Sequence, residues 1–170
     1  MIHLSETLEL HELWLQSPSD GRRGDFENEI LRWENLSYKN LSNAIFRGAD
    51  MSGANLKAAT LIGSDLARTN LFKANLSWAN LTGVDLRGTI GNGVEIKSLF
   101  VGRWPITYTA DRLQIGCENH AIEEWVGFDD VRIGSTTPHA LEFWKKWRPV
   151  IFQIIEMSPA TPTGHEGKAV

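Results

Sequence analysis

The residues whose chemistry could support catalysis or metal binding lie in the second half of the chain. Cys117 and His120 form a Cys-x-x-His pair, and His139 follows nineteen residues later. A structural zinc site usually takes four ligands in two close pairs. We therefore interpret the pair as a buried cysteine and an ordinary histidine, not as a metal site. A Cys–His nucleophile pair is a further hypothesis, but the sequence shows no orienting acid and no oxyanion element for it.

Two pairs of adjacent acids, Glu123-Glu124 and Asp129-Asp130, could act as paired carboxylates. Adjacent acids on a surface helix or turn are usually solvated charge, and this is the interpretation we adopt. The sequence contains no phosphate-binding loop, dinucleotide fingerprint or nucleophilic serine motif. It therefore predicts a protein that is not an enzyme and that needs no cofactor and no metal.

A basic cluster near the C-terminus raises the question of a membrane surface. Lys145, Lys146 and Arg148 stand among two tryptophans, a composition found in helices that dock on membranes. The stretch is short and contains Pro149, so a capping or dimer helix is the preferred interpretation. No apolar run reaches the roughly 18 residues that a membrane span needs, and we expect no contact with a membrane.

Composition narrows the class of protein without indicating a partner. Of the 170 residues, 42% are hydrophobic and 22% are charged, which is ordinary for a folded soluble protein. The net charge of −4 is too small to prescribe a partner. Cys117 is the single cysteine, which excludes an intrachain disulfide and fits a reducing compartment. The N-terminus is acidic where a signal peptide would be basic, so we expect a cytoplasmic protein.

A five-residue repeat dominates the first half of the chain. Large apolar residues recur at every fifth position from Phe26 to Leu86, and the residue two places before each is small in the middle of the run. The residue just before is usually Asn, Asp or Thr. This period matches neither the 3.6 of a helix nor the 2.0 of a strand. The predicted structural core consists of the central residues Leu36, Leu41, Phe46, Met51, Leu56, Leu61, Leu66, Leu71, Leu76, Leu81 and Leu86.

These blocks resemble the pentapeptide-repeat family, whose pattern is A-(D/N)-L-x-x. Residues 54–58 (ANLKA) and 74–78 (ANLSW) carry it, and the match is continuous from about Asn35 to Thr89 and looser from Phe26. The resemblance implies a mainly β fold, a right-handed quadrilateral β-helix with four repeats in each square coil. It also implies that the large central residue and the small residue two before it point inward, while the other three positions face solvent.

The flanking sequences divide the chain into four segments. We expect an N-terminal helical cap over residues 1–25, the β-helix over 26–90, an α+β region over 91–157, and a disordered tail over 158–170. In the first segment Ser5 is the predicted N-cap of a helix that ends near Gln16.

The α+β region is predicted to contain two strands and two helices. The strands span residues 99–108 and 111–117, and the first helix spans 119–126. The second helix begins at Thr137-Pro138, with Thr137 as N-cap, and Pro149 should kink or interrupt it.

The outward positions supply candidate contacts for a partner. With four repeats per coil, residues twenty apart stack on one face, and large apolar side chains on a polar solenoid need a cover. Either a terminal helix folds back over them, or they contact a protein partner or a second copy of the chain. The candidates are the column Tyr38, Ala58 and Trp78, with Lys57 beside it, and Ile62 and Phe72 on neighbouring faces.

The charge of the repeats tests one function that the family resemblance suggests, the binding of topoisomerases by DNA mimicry. Some pentapeptide-repeat proteins mimic DNA and bind type II topoisomerases, which makes gyrase or topoisomerase binding one hypothesis. Mimicry needs an acidic stripe that imitates phosphates. Residues 35–89 hold six bases and three acids, a local charge of +3, and Asp65 and Asp85 stack beside Arg68 and Arg87. The pattern argues against mimicry, and the bases are too scattered to predict nucleic-acid binding.

The sequence therefore predicts a non-enzymatic protein-interaction scaffold, homodimeric, that acts by occupying a partner's surface. Its C-terminal region loosely resembles a region that follows short repeat runs in bacterial and prophage-encoded pentapeptide proteins. An inhibitor of a host enzyme or defence system is accordingly a sub-case, by analogy of fold. A small enzyme or metal-binding function that uses Cys117 and His120 is the alternative from another class.

Overall fold

The computed structural model describes residues 3–101 and 104–164. Two hydrophobic clusters organise them. The first runs through the repeats, from Phe26 to Ile96, and the second lies in the C-terminal region, from Ile106 to Ala160. The repeats thus have a core of their own, and the C-terminal region has another.

The repeats form a β-helix with four repeats in each coil. Parallel bridges join residues twenty apart, from Asp25 with Ile45 to Asn70 with Ile90. From Phe26 to Leu71, the backbone N–H of each central residue donates to a carbonyl of the following coil, as Leu36 does to Asn55 over 2.9 Å. The predicted solenoid is therefore confirmed, and a period of five follows from the side length of the coil rather than from a helix or a strand.

The inside of the coil takes one large and one small side chain from each repeat. The central residues from Leu36 to Leu76 are fully buried, Leu86 is 6% exposed, and Leu81 is only partly buried. Three of the small positions carry a hydroxyl: those of Thr69 and Thr89 find acceptors inside the coil, whereas the buried Ser64 hydroxyl has no hydrogen-bond partner among the described residues. Thr69 Oγ1 donates to the Phe46 carbonyl, and Thr89 Oγ1 donates to that of Leu66, both over 2.7 Å.

The chain turns at each corner through a residue in the left-handed region. Gly48 and Gly53 adopt φ of 68° and 70° there, which glycine does without steric cost. The residue that precedes the central one fixes the same turn, because its side chain accepts a hydrogen bond two residues on. Asn35 Oδ1 accepts from the backbone N–H of Ser37 over 3.2 Å. This Asx turn explains why Asn and Asp recur at that position.

Helix α1 (Leu4–Gln16) precedes the solenoid and packs on it. Leu4 and Leu8 contact the solenoid core. His11 is buried, and its Nδ1 accepts a hydrogen bond from the backbone N–H of Gly24 over 3.0 Å. The helix ends at Gln16 as expected, but its N-cap is His3, and the predicted cap Ser5 lies inside the first turn.

The C-terminal region combines a four-stranded antiparallel sheet, with strands in chain order, and three helices. Among the described residues, neither these three helices nor α1 is long and apolar enough to cross a membrane. The elements are β1 (Lys97–Val101), β2 (Trp104–Tyr108), β3 (Arg112–Ile115), β4 (Glu118–Ala121), α2 (Ile122–Gly127), α3 (Asp130–Gly134) and α4 (Ala140–Met157).

Three boundaries in this region differ from the sequence prediction. The strand expected over 99–108 is divided into β1 and β2, and the helix expected over 119–126 opens with strand β4. The pairing of β4 with β3 is a tertiary contact that overrides local helix propensity. The last helix begins at Ala140 after a turn that joins Ala140 N to Thr137 O, and it continues through Pro149.

The segment after α4 packs on the rest of the chain. Ser158 accepts a hydrogen bond from Tyr108 at its carbonyl and one from Lys97 at its hydroxyl, each over 2.8 Å. Ala160 is 6% exposed, and the backbone N–H of Thr161 donates to Val94 over 2.9 Å. The tail that we expected to be disordered from Ser158 is therefore packed over residues 158–164. Residues 165–170 lie outside the described part.

The inward register yields a first prediction. Leu66→Asp should prevent cooperative folding, because Leu66 is fully buried and an unpaired carboxylate there costs several kcal/mol, roughly 3 or more. Arg68→Ala, two residues on at an exposed corner, should change the free energy of unfolding by no more than about 0.5 kcal/mol. Urea unfolding followed by circular dichroism measures both variants. Equal midpoints for the two would contradict the register.

The contact between α1 and the solenoid yields a second prediction, on pH. Burial, with a smaller effect from Arg23, lowers the pKa of His11. Since the unfolded chain then binds the proton more readily, the free energy of unfolding should fall as pH drops below the unfolded value of about 6.5. His11→Gln should weaken this dependence, and the exposed control His139→Gln should retain it. Urea midpoints at several pH values measure it, and an unchanged slope in His11→Gln would refute the assignment.

Candidate interaction site

Cys117 and His120 take up separate roles in the structure. Cys117 is exposed, at the turn between β3 and β4, and not buried as expected. His120 Nε2 lies 2.8 Å from a carboxylate oxygen of Glu118, and the His120 ring packs edge-on against Trp125 and Phe128. No cluster of three His, Cys, Asp or Glu residues with metal-site geometry occurs within residues 3–101 and 104–164.

The paired acids of the sequence begin helices and form an ion pair. Glu124 accepts a hydrogen bond from the backbone N–H at the start of α2, over 2.8 Å. Asp129 is the N-cap of α3 and accepts from the backbone N–H of Arg132. Asp130 pairs with Lys145 on α4 over 2.7 Å. These contacts give Glu124, Asp129 and Asp130 structural roles.

The predicted column of outward residues lies on three successive coils. Tyr38 is 72% exposed and Trp78 is 58% exposed, with Ala58 between them and Lys57 exposed beside it. The N–H of Tyr38 donates to the carbonyl of Lys57 over 2.9 Å. The two other candidates on neighbouring faces, Ile62 and Phe72, are 41% and 55% exposed.

The segment after α4, rather than a terminal helix, reaches this column. The backbone N–H of Trp78 donates to the carbonyl of Thr163. Gly164 lies against the indole, since a Cβ at that position would meet the ring of Trp78 at 3.2 Å. One end of the column is therefore partly covered by the chain itself, whereas Tyr38 at the other end stays open.

The structure adds two exposed residues that the sequence analysis did not select. Trp33 is 72% exposed and Ile30 is 73% exposed, in the same coil as Tyr38. Trp33 stands two places after the central residue Leu31, so the repeat phase already places it outward, although the repeats match the family pattern less well there. We name Ile30, Trp33 and Tyr38 the first-coil patch.

Three aspartates of the repeat region pair with arginines. Asp65 pairs with Arg47 of the preceding coil. Burial would raise the pKa of Asp85, but hydrogen bonds from Arg87 and Gln114 outweigh burial and lower it. The three pairs are Arg32 with Asp50, Arg47 with Asp65, and Arg87 with Asp85, so these aspartates do not form a stripe of unpaired negative charge.

The C-terminal region supplies part of the hydrogen bonds that a further coil would give to the solenoid's last coil. Gln114 Oε1 accepts from the backbone N–H of Leu86 over 2.9 Å, and its Nε2 donates to Asp85 over 3.2 Å. Asn119 Nδ2 donates to the carbonyl of Val84 over 3.3 Å. Polar side chains of β3 and β4 thus replace a missing β-helix backbone.

Comparison with known proteins decides the family of the repeats. The profile described as pentapeptide repeats matches residues 31–61 and 49–88, in eight copies. The repeat region belongs to the pentapeptide-repeat family. A search of curated protein sequences finds no match to the chain.

Several solved pentapeptide-repeat structures are similar to this chain over part of its length. Rfr23 from the cyanobacterium Cyanothece 51142 is 40% identical over 38% of this chain and 48% of its own, with a TM-score of 0.34. HetL from Nostoc sp. strain PCC 7120, involved in the regulation of heterocyst differentiation, is 32% identical over 40% of this chain and 34% of its own, with a TM-score of 0.26. The chain therefore matches about half of the first protein and a third of the second.

The bridge made by Gln114 yields a prediction for this pentapeptide-repeat protein. Gln114→Ala should lower the free energy of unfolding by about 1–3 kcal/mol, because the buried N–H of Leu86 loses its acceptor. Gln153→Ala, at an exposed position of α4, should change it by less than about 0.5 kcal/mol. Urea denaturation gives both values. A loss no larger for Gln114→Ala than for the control would show that the bridge does not stabilise the solenoid's end.

Proposed function

We propose that this pentapeptide-repeat protein is a non-enzymatic interaction scaffold that acts by occupying the surface of a protein partner. The observation that carries the proposal is the first-coil patch. Trp33 and Tyr38 are each 72% exposed, and Ile30 is 73% exposed. Large apolar side chains exposed on an otherwise polar solenoid need a cover, and tryptophan and tyrosine are enriched among the residues that dominate binding energy.

The corners that hold the two aromatic residues accept glycine. Trp33 and Tyr38 adopt φ of 62° and 61°, in the left-handed region, as do Arg68 and Lys73 with φ of 60° each. Glycine occupies the equivalent corner at Gly48 and Gly63, where it adopts this conformation without steric cost. Replacing the aromatic residues by glycine therefore removes their side chains and leaves a corner that the coil already uses.

The charges favour a protein partner over DNA or a DNA-binding enzyme. A mimic of DNA presents unpaired negative charge, whereas Asp50, Asp65 and Asp85 each pair with an arginine. The same pairs occupy the guanidinium groups that would otherwise contact phosphates. We therefore prefer binding to another kind of protein partner over binding to a topoisomerase or to nucleic acid.

Further parts of the proposal concern assembly and context. Helix α1 acts as a cap on the first coil, supported by the contacts of Leu4 and Leu8 with the solenoid core. The chain forms a homodimer and works in the cytoplasm, in line with its single cysteine. A phage- or prophage-encoded inhibitor is a sub-case of the scaffold, and no contact among residues 3–101 and 104–164 favours it over other binding functions.

The test is an affinity capture from a lysate of the source organism with matched corner variants. Trp33→Gly/Tyr38→Gly should abolish retention of the partner, because it removes the patch and leaves glycine where the fold accepts it. Arg68→Gly/Lys73→Gly changes two other exposed corners, with φ of 60° each, and should retain the partner. Quantitative mass spectrometry measures the retained protein.

Circular dichroism and light scattering of the same variants complete the test. All of them should show the folded spectrum, and the scattering mass tests the homodimer. Equal retention by the aromatic and control variants would contradict the proposed binding face. A loss of dimer mass only in the aromatic variant would assign the patch to a second copy of the chain.

A further inference from the structure

The last coil of the solenoid leaves one side without hydrogen-bond partners. In the coil below, the N–H groups of Leu61 and Gly63 donate to the carbonyls of Asn80 and Thr82, each over 2.9 Å. Leu81 and Gly83 occupy the same positions one coil later, so their N–H groups point to where a further coil would lie. Within the part of the chain that the structure describes, neither N–H has an acceptor.

Each neighbouring side of this coil keeps one bonded N–H, whereas the side of Leu81 and Gly83 keeps none among the described residues. The N–H of Trp78 donates to Thr163, and the N–H of Leu86 donates to Gln114. These two bonded positions flank the open side, because the chain runs from Trp78 through Leu81 to Leu86. The C-terminal region therefore substitutes for a fourth coil on either side of a gap.

A cleft of about 410 Å³ lies over this gap. Residues 79–84 of the solenoid line it, together with Thr107 and Arg112 of the sheet and Ala110 of the turn between β2 and β3. Residues 161–163 line it beside Trp78. The cleft thus continues the line along which the chain's own segment already pairs with the last coil.

The spacing of the two donors selects an extended peptide as the occupant. Leu81 and Gly83 are two residues apart, so their N–H groups match two carbonyls of one extended strand that are also two residues apart. Where the coil below pairs with the last coil, its two N–H groups donate to the carbonyls of Asn80 and Thr82. The residue between those carbonyls is the central residue Leu81. A peptide bound in the same way places its middle side chain over Leu81, which is partly exposed where Leu41 and Leu61 are fully buried.

We propose that the cleft over Leu81 and Gly83 binds an extended segment of a partner protein, in parallel pairing, through one large apolar residue between two carbonyls. Polar or basic neighbours of that residue suit the cleft, since Glu95 and Asp111 line it against a single Arg112. The guanidinium of Arg112 is held by Asn119 over 3.0 Å. The inference does not rest on the first-coil patch, which lies on another coil.

The probe is a seven-residue peptide with blocked ends that copies residues 58–64 of this chain (AATLIGS), whose Leu61 is the residue expected over Leu81. Amide NMR spectra of the full chain should show saturable shifts at Leu81 and Gly83 when the peptide is added. A second peptide with Leu61→Asp should bind at least about tenfold more weakly, because its charge would be placed against an apolar surface.

Two matched variants locate the binding. Ala110→Trp fills the mouth of the cleft from an exposed turn position and should abolish the shifts. Val126→Trp adds the same bulk at an exposed position of α2 that does not line the cleft, and it should bind like the wild type. Both should give the folded spectrum of the parent. Equal binding by the two would overturn the assignment of the site.

Two other occupants of the cleft would also overturn the proposal. Binding of the peptide only to a chain that ends at Gly164 would assign the cleft to the chain's own residues 165–170. Shifts at Leu81 and Gly83 that depend on protein concentration, without peptide, would assign it to a second copy. Absence of any shift in both chain lengths would refute peptide binding. None of these outcomes depends on partner capture by Trp33 and Tyr38, so the two proposals fail separately.

Discussion

The hydrogen bonds between successive coils are the constraint on which the rest of this structure depends. Apart from one bond inside its own turn, each repeat satisfies its backbone through residues 19 or 21 places away, as Leu36 does through Asn55. A repeat on its own therefore has neither a closed backbone nor a closed core, and stability comes from stacking. The run is a little over three coils long, so a large share of its backbone lies at an end. Residues before and after the repeats make contacts with these ends.

Different interactions are made at the two ends of the solenoid: mainly apolar contacts at the first coil and side-chain hydrogen bonds at the last. At the first coil, α1 contributes apolar contacts from Leu4 and Leu8, and the backbone of Gly24 donates to buried His11. At the last coil, the amides of Gln114 and Asn119 replace backbone groups of a missing coil. Side-chain amides suit this use because each carries a donor and an acceptor, as a peptide group does. A single side chain replaces only one or two backbone groups of the missing coil, so one side of the last coil stays open.

The repeat region was predictable from the sequence, and the ends were only partly so. Each coil has four equivalent sides of five residues, so the same inward position recurs at every fifth residue. This period identifies the core from Leu36 to Leu76 in the sequence. The same phase places Trp33 outward, although the family pattern is weaker there. The bridge from Gln114 to Leu86 joins residues 28 apart once only, and no local pattern indicates it. The pairing of β4 and the packing of Ala160 depend on similar single contacts.

The two proposed surfaces differ in what they can recognise. The first-coil patch presents side chains, so it selects a partner by the shape of a complementary pocket. The cleft presents backbone donors, so it selects an extended conformation and only one apolar side chain. They lie on the first and last coils, which are separated along the axis by roughly 10 Å at a spacing of about 4.8 Å per coil. Because their residues do not overlap, the proposed occupation of one surface leaves the contacts of the other available.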